Sequence, residues 1–99
     1  ALGRSGTDFP HINSLKGMIG HCLAASGSIE CVSAVIQLKE GFLFPSVNSE
    51  DLHEEVTALI SADCIPQQAL DMELHIIAKA SFGFGDVNAV VVFKKWNNE

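Results

Sequence analysis

The sequence predicts an α/β fold in which one long helix packs on a mixed sheet. Apolar residues recur at steps of three and four over residues 20–40, and two apolar runs of strand character, 73–81 and 88–96, follow near the end. The first pattern is that of an amphipathic helix and the second that of β-strands. A helix stripe and a strand face of this kind bury each other in one core.

The helix is predicted over residues 20–40. Its apolar stripe consists of Met18, Cys22, Ala25, Ile29, Val32 and Ile36. Its other side carries Ser26, Glu30, Ser33 and Gln37. Gly41 follows as the expected C-cap, because glycine tolerates the left-handed conformation that ends many helices.

The strands are predicted on both sides of this helix. Residues 9–14 form a short extended strand before it, and residues 42–48, interrupted by Pro45, form another extended piece after it. Residues 49–56 are predicted as an exposed helical turn and the stretch after them as connecting chain. The strand over residues 73–81 alternates, with four residues expected to face the core: Leu74, Ile76, Ala78 and Ala80. The β-branched run 88–96 is predicted to be covered on both faces and to complete a hairpin.

Composition limits the classes of function. The 99 residues form one segment, with 18% charged residues and a net charge of −6. A basic stripe for nucleic acid or an anionic membrane surface is therefore not expected, and no apolar run reaches the roughly 18 residues of a membrane span. Three cysteines without a CxxC pair indicate a reducing, cytoplasmic compartment. No spacing of histidine and cysteine favours a metal site.

Two glycine-bearing segments hold the candidate chemistry. In "KGMIGH", His21 falls in the first turn of the predicted helix, where the helix dipole disfavours an imidazolium. A neutral ring could donate a hydrogen bond to a carbonyl oxygen. Gly20 allows a tight turn, and Lys16 precedes the helix within reach of the same space. In "SFGFGDVN", backbone N–H groups of the phenylalanine–glycine loop could bind an anionic oxygen.

Together these segments resemble β-ketoacyl-acyl carrier protein synthases. The first resembles the family motif K-x-M-T-G-H-x-x-G-A-A-G through Lys16, Met18, Gly20, His21, Ala25 and Gly27. The second resembles N-S-F-G-F-G-G-x-N through Ser81, Phe82, Gly83, Phe84, Gly85 and Asn88. Between them, G-x-I-x-P-x-x-N is matched by Gly41, Pro45 and Asn48.

The resemblance implies the C-terminal part of a thiolase-like fold, in a homodimer or a ketosynthase heterodimer. It also implies decarboxylative Claisen condensation of malonyl-carrier protein with an acyl thioester, in fatty acid or polyketide synthesis. The partner is then acyl carrier protein, whose phosphopantetheine holds the substrates, and no other cofactor is expected.

The resemblance also implies roles for individual residues. His21 matches the second catalytic histidine, which stabilises the enolate, and Lys16 matches an electrostatic, organising lysine. Phe84 matches a gatekeeper whose N–H contributes to the oxyanion hole within the loop Phe82, Gly83, Phe84 and Gly85. Phe82 lines the acyl entrance.

Several residues depart from the family pattern. Ile19, Ala24, Asp86 and Val87 replace the residues usual in the two motifs, and Asp86 is expected to point to solvent or to cap the hairpin turn. The nucleophilic cysteine elbow and the first histidine of the family are not in these 99 residues. Cys64 lacks the elbow, and this chain alone is expected to be inactive.

Other residues of catalytic type are expected to be structural. Cys22 and Cys31 are interpreted as small buried residues. His11, His53 and His75 are interpreted as exposed or capping residues.

Two other functions remain open at this stage. One is a non-catalytic partner subunit of the same fold, similar to a chain-length factor. The other is an independent binding module. The helix stripe argues against such a module, because it would have lost its covering layer. As a fragment, the isolated chain is expected to expose apolar surface and to associate.

Overall fold

A computed structural model describes residues 3–96 and divides them into two compact units. The first unit comprises residues 3–20 and 43–70, and the second comprises residues 21–42 and 71–96. The helices are α1 (Lys16–Ile19), α2 (Ser26–Glu40) and α3 (Glu54–Leu59). The strands are β1 (Phe42–Leu43), β2 (Leu70–Asp71), β3 (Ile76–Gly83) and β4 (Val87–Lys94).

The second unit is a helix packed on a β-hairpin. Strands β3 and β4 are antiparallel, from Ile76 opposite Lys94 to Gly83 opposite Val87, and α2 packs against β3. Helix α2 ends as predicted: Gly41 is left-handed, with φ 74°, and its N–H donates to the Gln37 carbonyl at 2.9 Å. Strands β1 and β2 form a second, short two-stranded sheet. The predicted long helix and hairpin are therefore confirmed. The predicted mixed sheet is not formed by residues 3–96, whose named strands pair in two separate two-stranded sheets.

The predicted start of the long helix is wrong. Helix α2 begins at Ser26 and is preceded by a 3-10 helix over Leu23–Ala25 and by the separate α1. Gly20 and Leu23 have φ of 76° and 53°, which lie in the left-handed region and interrupt the right-handed helical path. His21 consequently precedes the helical turns, and Lys16 begins a helix of its own.

The predicted core faces of the second unit are also wrong. The half-buried side of β3 carries Ile77, Lys79 and Ser81, whereas Ile76, Ala78 and Ala80 are exposed. On α2 the predicted polar side is the buried or half-buried one, and Ile29, Val32 and Ile36 are exposed. The packed side of α2 also carries two apolar residues, Ala34 and Leu38, which are 4% and 7% exposed. Beside them Lys79 Nζ lies 2.8 Å from a Glu30 carboxylate oxygen, so apolar burial and an ion pair share one face.

Strand β4 is not covered on both faces as predicted. Val90, Val91 and Val92 are all exposed, and Phe93 is half-buried. Within the described residues the sheet has only two strands, so no third strand or second helix covers the β-branched run. The sequence pattern of a doubly covered strand is present, but its cover is not formed by residues 3–96.

The first unit is held by contacts around Cys64. Gly6 and Ile60 form a parallel bridge, and the Ile12 N–H donates to the Cys64 carbonyl at 2.8 Å. The predicted strand over residues 9–14 is not formed, because the residues have no strand assignment and the Ile12 contact is not part of a ladder. The helical turn predicted over residues 49–56 is observed later, as α3, whose N-cap is His53. Its Nδ1 accepts the Glu55 N–H at 3.2 Å, which confirms a capping role.

Other expectations concern exposure. Cys22 and Cys31 are half-buried rather than buried, while His11 and His75 are exposed as expected. The three cysteines, all within the described range, form no disulfide. No helix in this range has the length and hydropathy to cross a bilayer.

Candidate active site

Lys16 is placed by a short helical turn in the first unit. It begins α1, and its backbone N–H donates to the Ser14 hydroxyl at 3.3 Å. Gly20 closes this turn, because its N–H donates to the Lys16 carbonyl at 2.8 Å while its φ of 76° and ψ of −176° suit glycine alone. The Lys16 side chain is exposed. The tight turn predicted at Gly20 is therefore confirmed.

Gly17 allows the backbone around Val47 to approach α1 closely. A Cβ built at Gly17 would lie 2.8 Å from the Val47 carbonyl oxygen and 3.2 Å from its Cβ. The first distance is shorter than real Cβ contacts, and the atom it meets is backbone, which cannot swing away. The absence of a side chain at Gly17 therefore allows the segment after Pro45 to lie against the turn that bears Lys16.

His21 is held by hydrogen bonds to its own ring nitrogen. The Leu23 N–H donates to His21 Nδ1 at 2.9 Å, and the Ser26 hydroxyl oxygen lies 3.1 Å from the same atom. The left-handed Leu23 turns its N–H back towards residue 21, at a conformational cost of about 1–2 kcal/mol for a residue with a Cβ. His21 is exposed on its remaining side.

The Leu23 contact determines which nitrogen of a neutral ring carries the hydrogen. A backbone N–H is only a donor, so Nδ1 must be the acceptor and must lack a hydrogen. The hydrogen of the neutral ring then lies on Nε2, where it can be donated outward. His21 does not lie at the predicted helix start; a backbone donor on Nδ1 instead fixes the tautomer of a neutral ring.

The phenylalanine–glycine loop is the turn of the β3–β4 hairpin. Strand pairing extends through Gly83 and Val87, which leaves Phe84, Gly85 and Asp86 as the turn. Gly85 and Asp86 have φ of 80° and 59°, the positive pair that suits a tight hairpin. Asp86 is exposed, as expected for a carboxylate that points to solvent.

The two phenylalanine rings of this loop are presented outward. Phe84 is 100% exposed and Phe82 is 74% exposed. An aromatic ring gains from burial, so the exposure of two at one turn marks a surface with which another group can make contact.

Packing of α2 on β3 connects the His21 turn to this hairpin. Ser26, which contacts His21, is followed by Gly27, where a built Cβ would lie 4.0 Å from the Ser81 hydroxyl. Ser81 immediately precedes Phe82. One turn further along α2, Glu30 pairs with Lys79, whose ammonium also donates to the Ser81 hydroxyl and to the Ala80 carbonyl.

The predicted site residues thus fall in both units. His21 and the loop from Phe82 to Gly85 belong to the second unit, and Lys16 belongs to the first. Cys64 is 4% exposed, with its sulfur 3.3 Å from the Phe9 carbonyl oxygen, which is a structural environment rather than that of a nucleophile. Within residues 3–96, no group of three histidine, cysteine or acidic residues could hold a metal ion.

Sequence reasoning missed Ser26 and the pair of Glu30 with Lys79. Periodicity places Ser26 and Glu30 on the polar side of the helix and Lys79 off the predicted core face of its strand, so none of the three is expected to be buried. The available signal was spacing: Ser26 and Glu30 lie one helical turn apart, and Lys79 and Ser81 share one side of a strand.

A family model and several individual relatives of this chain point to the same family. The model for the C-terminal domain of beta-ketoacyl synthases matches residues 1–50. The chain is 38% identical over 90 residues to 3-oxoacyl-[acyl-carrier-protein] synthase 1 of Escherichia coli K12, covering 91% of this chain and 21% of that protein. It is 36% identical over 95 residues to a putative mitochondrial 3-oxoacyl-[acyl-carrier-protein] synthase of Schizosaccharomyces pombe, covering 96% and 22%.

A plant relative extends the comparison. The chloroplastic 3-oxoacyl-[acyl-carrier-protein] synthase I of Arabidopsis thaliana is 38% identical over 82 residues, which cover 83% of this chain and 16% of that protein. The chain therefore spans about a fifth of the length of the curated relatives it matches. On the match to the domain model and these identities, the chain belongs to the beta-ketoacyl synthase family.

Proposed function

We propose that this chain supplies part of the active site of a 3-oxoacyl-acyl carrier protein synthase. The observation that carries the proposal is the Leu23 N–H on His21 Nδ1, because it leaves Nε2–H to face a substrate carbonyl. Relatives with this name from bacteria, a yeast and a plant support it. The parent enzyme is then an acyltransferase with a thiolase-like fold.

In this proposal His21 acts on the malonyl thioester. An acyl group is first transferred from carrier protein to a cysteine outside these 99 residues. Loss of carbon dioxide from the malonyl group leaves an electron pair that is delocalised onto the thioester oxygen as an enolate. His21 Nε2–H donates a hydrogen bond to that oxygen, and stabilises it more strongly as negative charge develops. The enolate carbon then attacks the acyl-cysteine carbonyl, and the cysteine thiolate leaves.

The hairpin and Lys16 have supporting roles. The N–H of Phe84 stabilises the oxyanion formed on the acyl-cysteine carbonyl, and its ring gates access to the site. Phe82 lines the acyl entrance. Lys16 organises the site electrostatically through its positive charge.

The same reaction implies the partner. The cellular compartment and the assembly are further parts of the proposal. Acyl carrier protein presents both substrates on phosphopantetheine, and the protein's own residues need no further cofactor. We place the enzyme in the cytoplasm as a homodimer or as a heterodimer of related ketosynthase subunits.

The test is a variant of His21 in the full-length protein that carries this sequence. His21→Ala is expected to lower kcat for malonyl-carrier protein decarboxylation by about 100- to 1,000-fold, the usual effect of removing one oxyanion donor. The matched control is His75→Ala, an exposed histidine preceding β3, which should stay within about twofold of wild type. Decarboxylation at the wild-type rate by His21→Ala would refute the proposal.

A further inference from the structure

Ser26 is the most buried polar group in contact with His21. It is the first residue of α2 and is 9% exposed. Its hydroxyl oxygen accepts the Cys22 N–H at 2.8 Å and lies 3.1 Å from His21 Nδ1. Both contacts are made within five residues, so they depend on the local path of the chain around the left-handed Leu23.

The direction of the Ser26–His21 hydrogen bond follows from its neighbours. His21 Nδ1 accepts from the Leu23 N–H and so carries no hydrogen. The Ser26 hydroxyl must then be the donor. Its oxygen accepts the Cys22 N–H while its own hydrogen is donated to the ring. The hydroxyl therefore both accepts and donates, which fixes its orientation.

We propose that Ser26 is a positioning residue for His21, an inference that rests on the proposed function. The Leu23 N–H is a single donor about which an exposed ring can rock. The Ser26 hydroxyl reaches the same nitrogen from the start of α2 and holds the ring plane. It also favours the hydrogen on Nε2, the atom that faces substrate. The family motif quoted above has alanine at this position, so the hydroxyl is a feature of this chain.

The kinetic test compares Ser26→Thr with Ser26→Val in the full-length protein. The two side chains have nearly the same shape, but only threonine has a hydroxyl. A steric effect on kcat should therefore appear in both variants, and a loss of ring positioning only in Ser26→Val. We expect Ser26→Val to have a kcat for malonyl decarboxylation about fivefold below that of Ser26→Thr, which converts to about 1 kcal/mol. The KM for acyl-carrier protein should be equal in both.

The spectroscopic test reads the ring directly. In the full-length protein labelled with ¹⁵N-histidine, the neutral His21 ring of wild type and of Ser26→Thr should carry its hydrogen on Nε2 and none on Nδ1. In Ser26→Val the signals of both His21 nitrogens should move towards each other, as for a ring that exchanges between its two tautomers. Ser28→Ala, an exposed serine on the same helix, is the control and should leave the His21 signals unchanged.

The outcomes separate this inference from the proposed function. Equal kcat values and equal His21 spectra in Ser26→Thr and Ser26→Val would overturn the role of Ser26. If the wild-type protein decarboxylates no malonyl-carrier protein, the proposed function fails, and the spectra still decide whether Ser26 orients the ring. If Ser26→Val does not fold, Ser26→Ala replaces it, with the same expected spectral shift.

Discussion

The two long faces of α2 differ in burial, and the face predicted to be polar is the buried one. The face with Ser26, Glu30 and Gln37 packs inside the second unit, and Gln37 is only 4% exposed. The face with Val32 and Ile36 is open, with exposures of 59% and 48%. The polar face is satisfied by specific partners, whereas the apolar face meets no residue that buries it within the described chain.

This difference separates two kinds of helix contact. Hydrogen bonds and ion pairs need defined partners, and α2 finds them on β3 and in its own backbone. Apolar burial is non-directional and needs only a covering surface. The packed face also buries Ala34 and Leu38, so α2 carries apolar residues on both faces. Such a helix is suited to burial between two layers, as in the thiolase-like fold proposed for the parent enzyme.

The largest effect is expected from breaking the ion pair on the packed face. Glu30 and Lys79 are 13% and 11% exposed, so Glu30→Ala leaves a largely buried ammonium without its carboxylate. We expect the free energy of unfolding to fall by about 3 kcal/mol, measured by urea denaturation. Glu40→Ala, an exposed acidic residue at the end of the same helix, is the control and should change stability by less than about 0.5 kcal/mol.

The double replacement Glu30→Met with Lys79→Met sharpens the same prediction. Removing both charges restores much of the stability lost in Glu30→Ala, since no uncompensated charge remains buried. A double variant as unstable as Glu30→Ala would show that packing around the stems, rather than charge, holds α2 on β3.

A smaller effect is expected at Gln37. Its side-chain N–H donates to the Ser33 carbonyl at 3.3 Å in the buried part of α2. Gln37→Ala should lower the free energy of unfolding by about 1 kcal/mol, as for one hydrogen bond. Thermal and urea unfolding measure this change. A loss as large as that of Glu30→Ala would contradict the expectation that a neutral hydrogen bond stabilises the protein less than the ion pair does.

The smallest effect on stability is expected on the open face. Val32→Ser and Ile36→Ser remove apolar groups that are already about half exposed, so the unfolding free energy should change by less than about 0.5 kcal/mol. Self-association of the 99-residue chain, followed by light scattering against concentration, should decrease in both. Unfolding of the monomer by either change would show that this face already has a partner within the chain.

Sequence reasoning succeeded where the cause is local. The end of α2 at Gly41, the hairpin turn at Gly85 and the capping by His53 all depend on residues within a few positions. The roles of His21 and Phe84, inferred from short motifs, stay predictions. The start of α2 could not be predicted in this way. Leucine is a common helix residue, so nothing in the sequence indicates that Leu23 adopts the left-handed conformation.

The amino-acid sequence by itself determined the family, the order of helix and hairpin, and the identity of the candidate site residues, because motifs and turn residues act over short distances. The tertiary structure alone decided which face of α2 and of β3 is packed, and how His21 is oriented. Periodicity shows that a helix has two faces, but the choice between them depends on the partners that each face meets. Here Glu30 meets Lys79 on the hairpin beside the buried Ala34 and Leu38, and the backbone turn at Leu23 brings an N–H to His21 Nδ1.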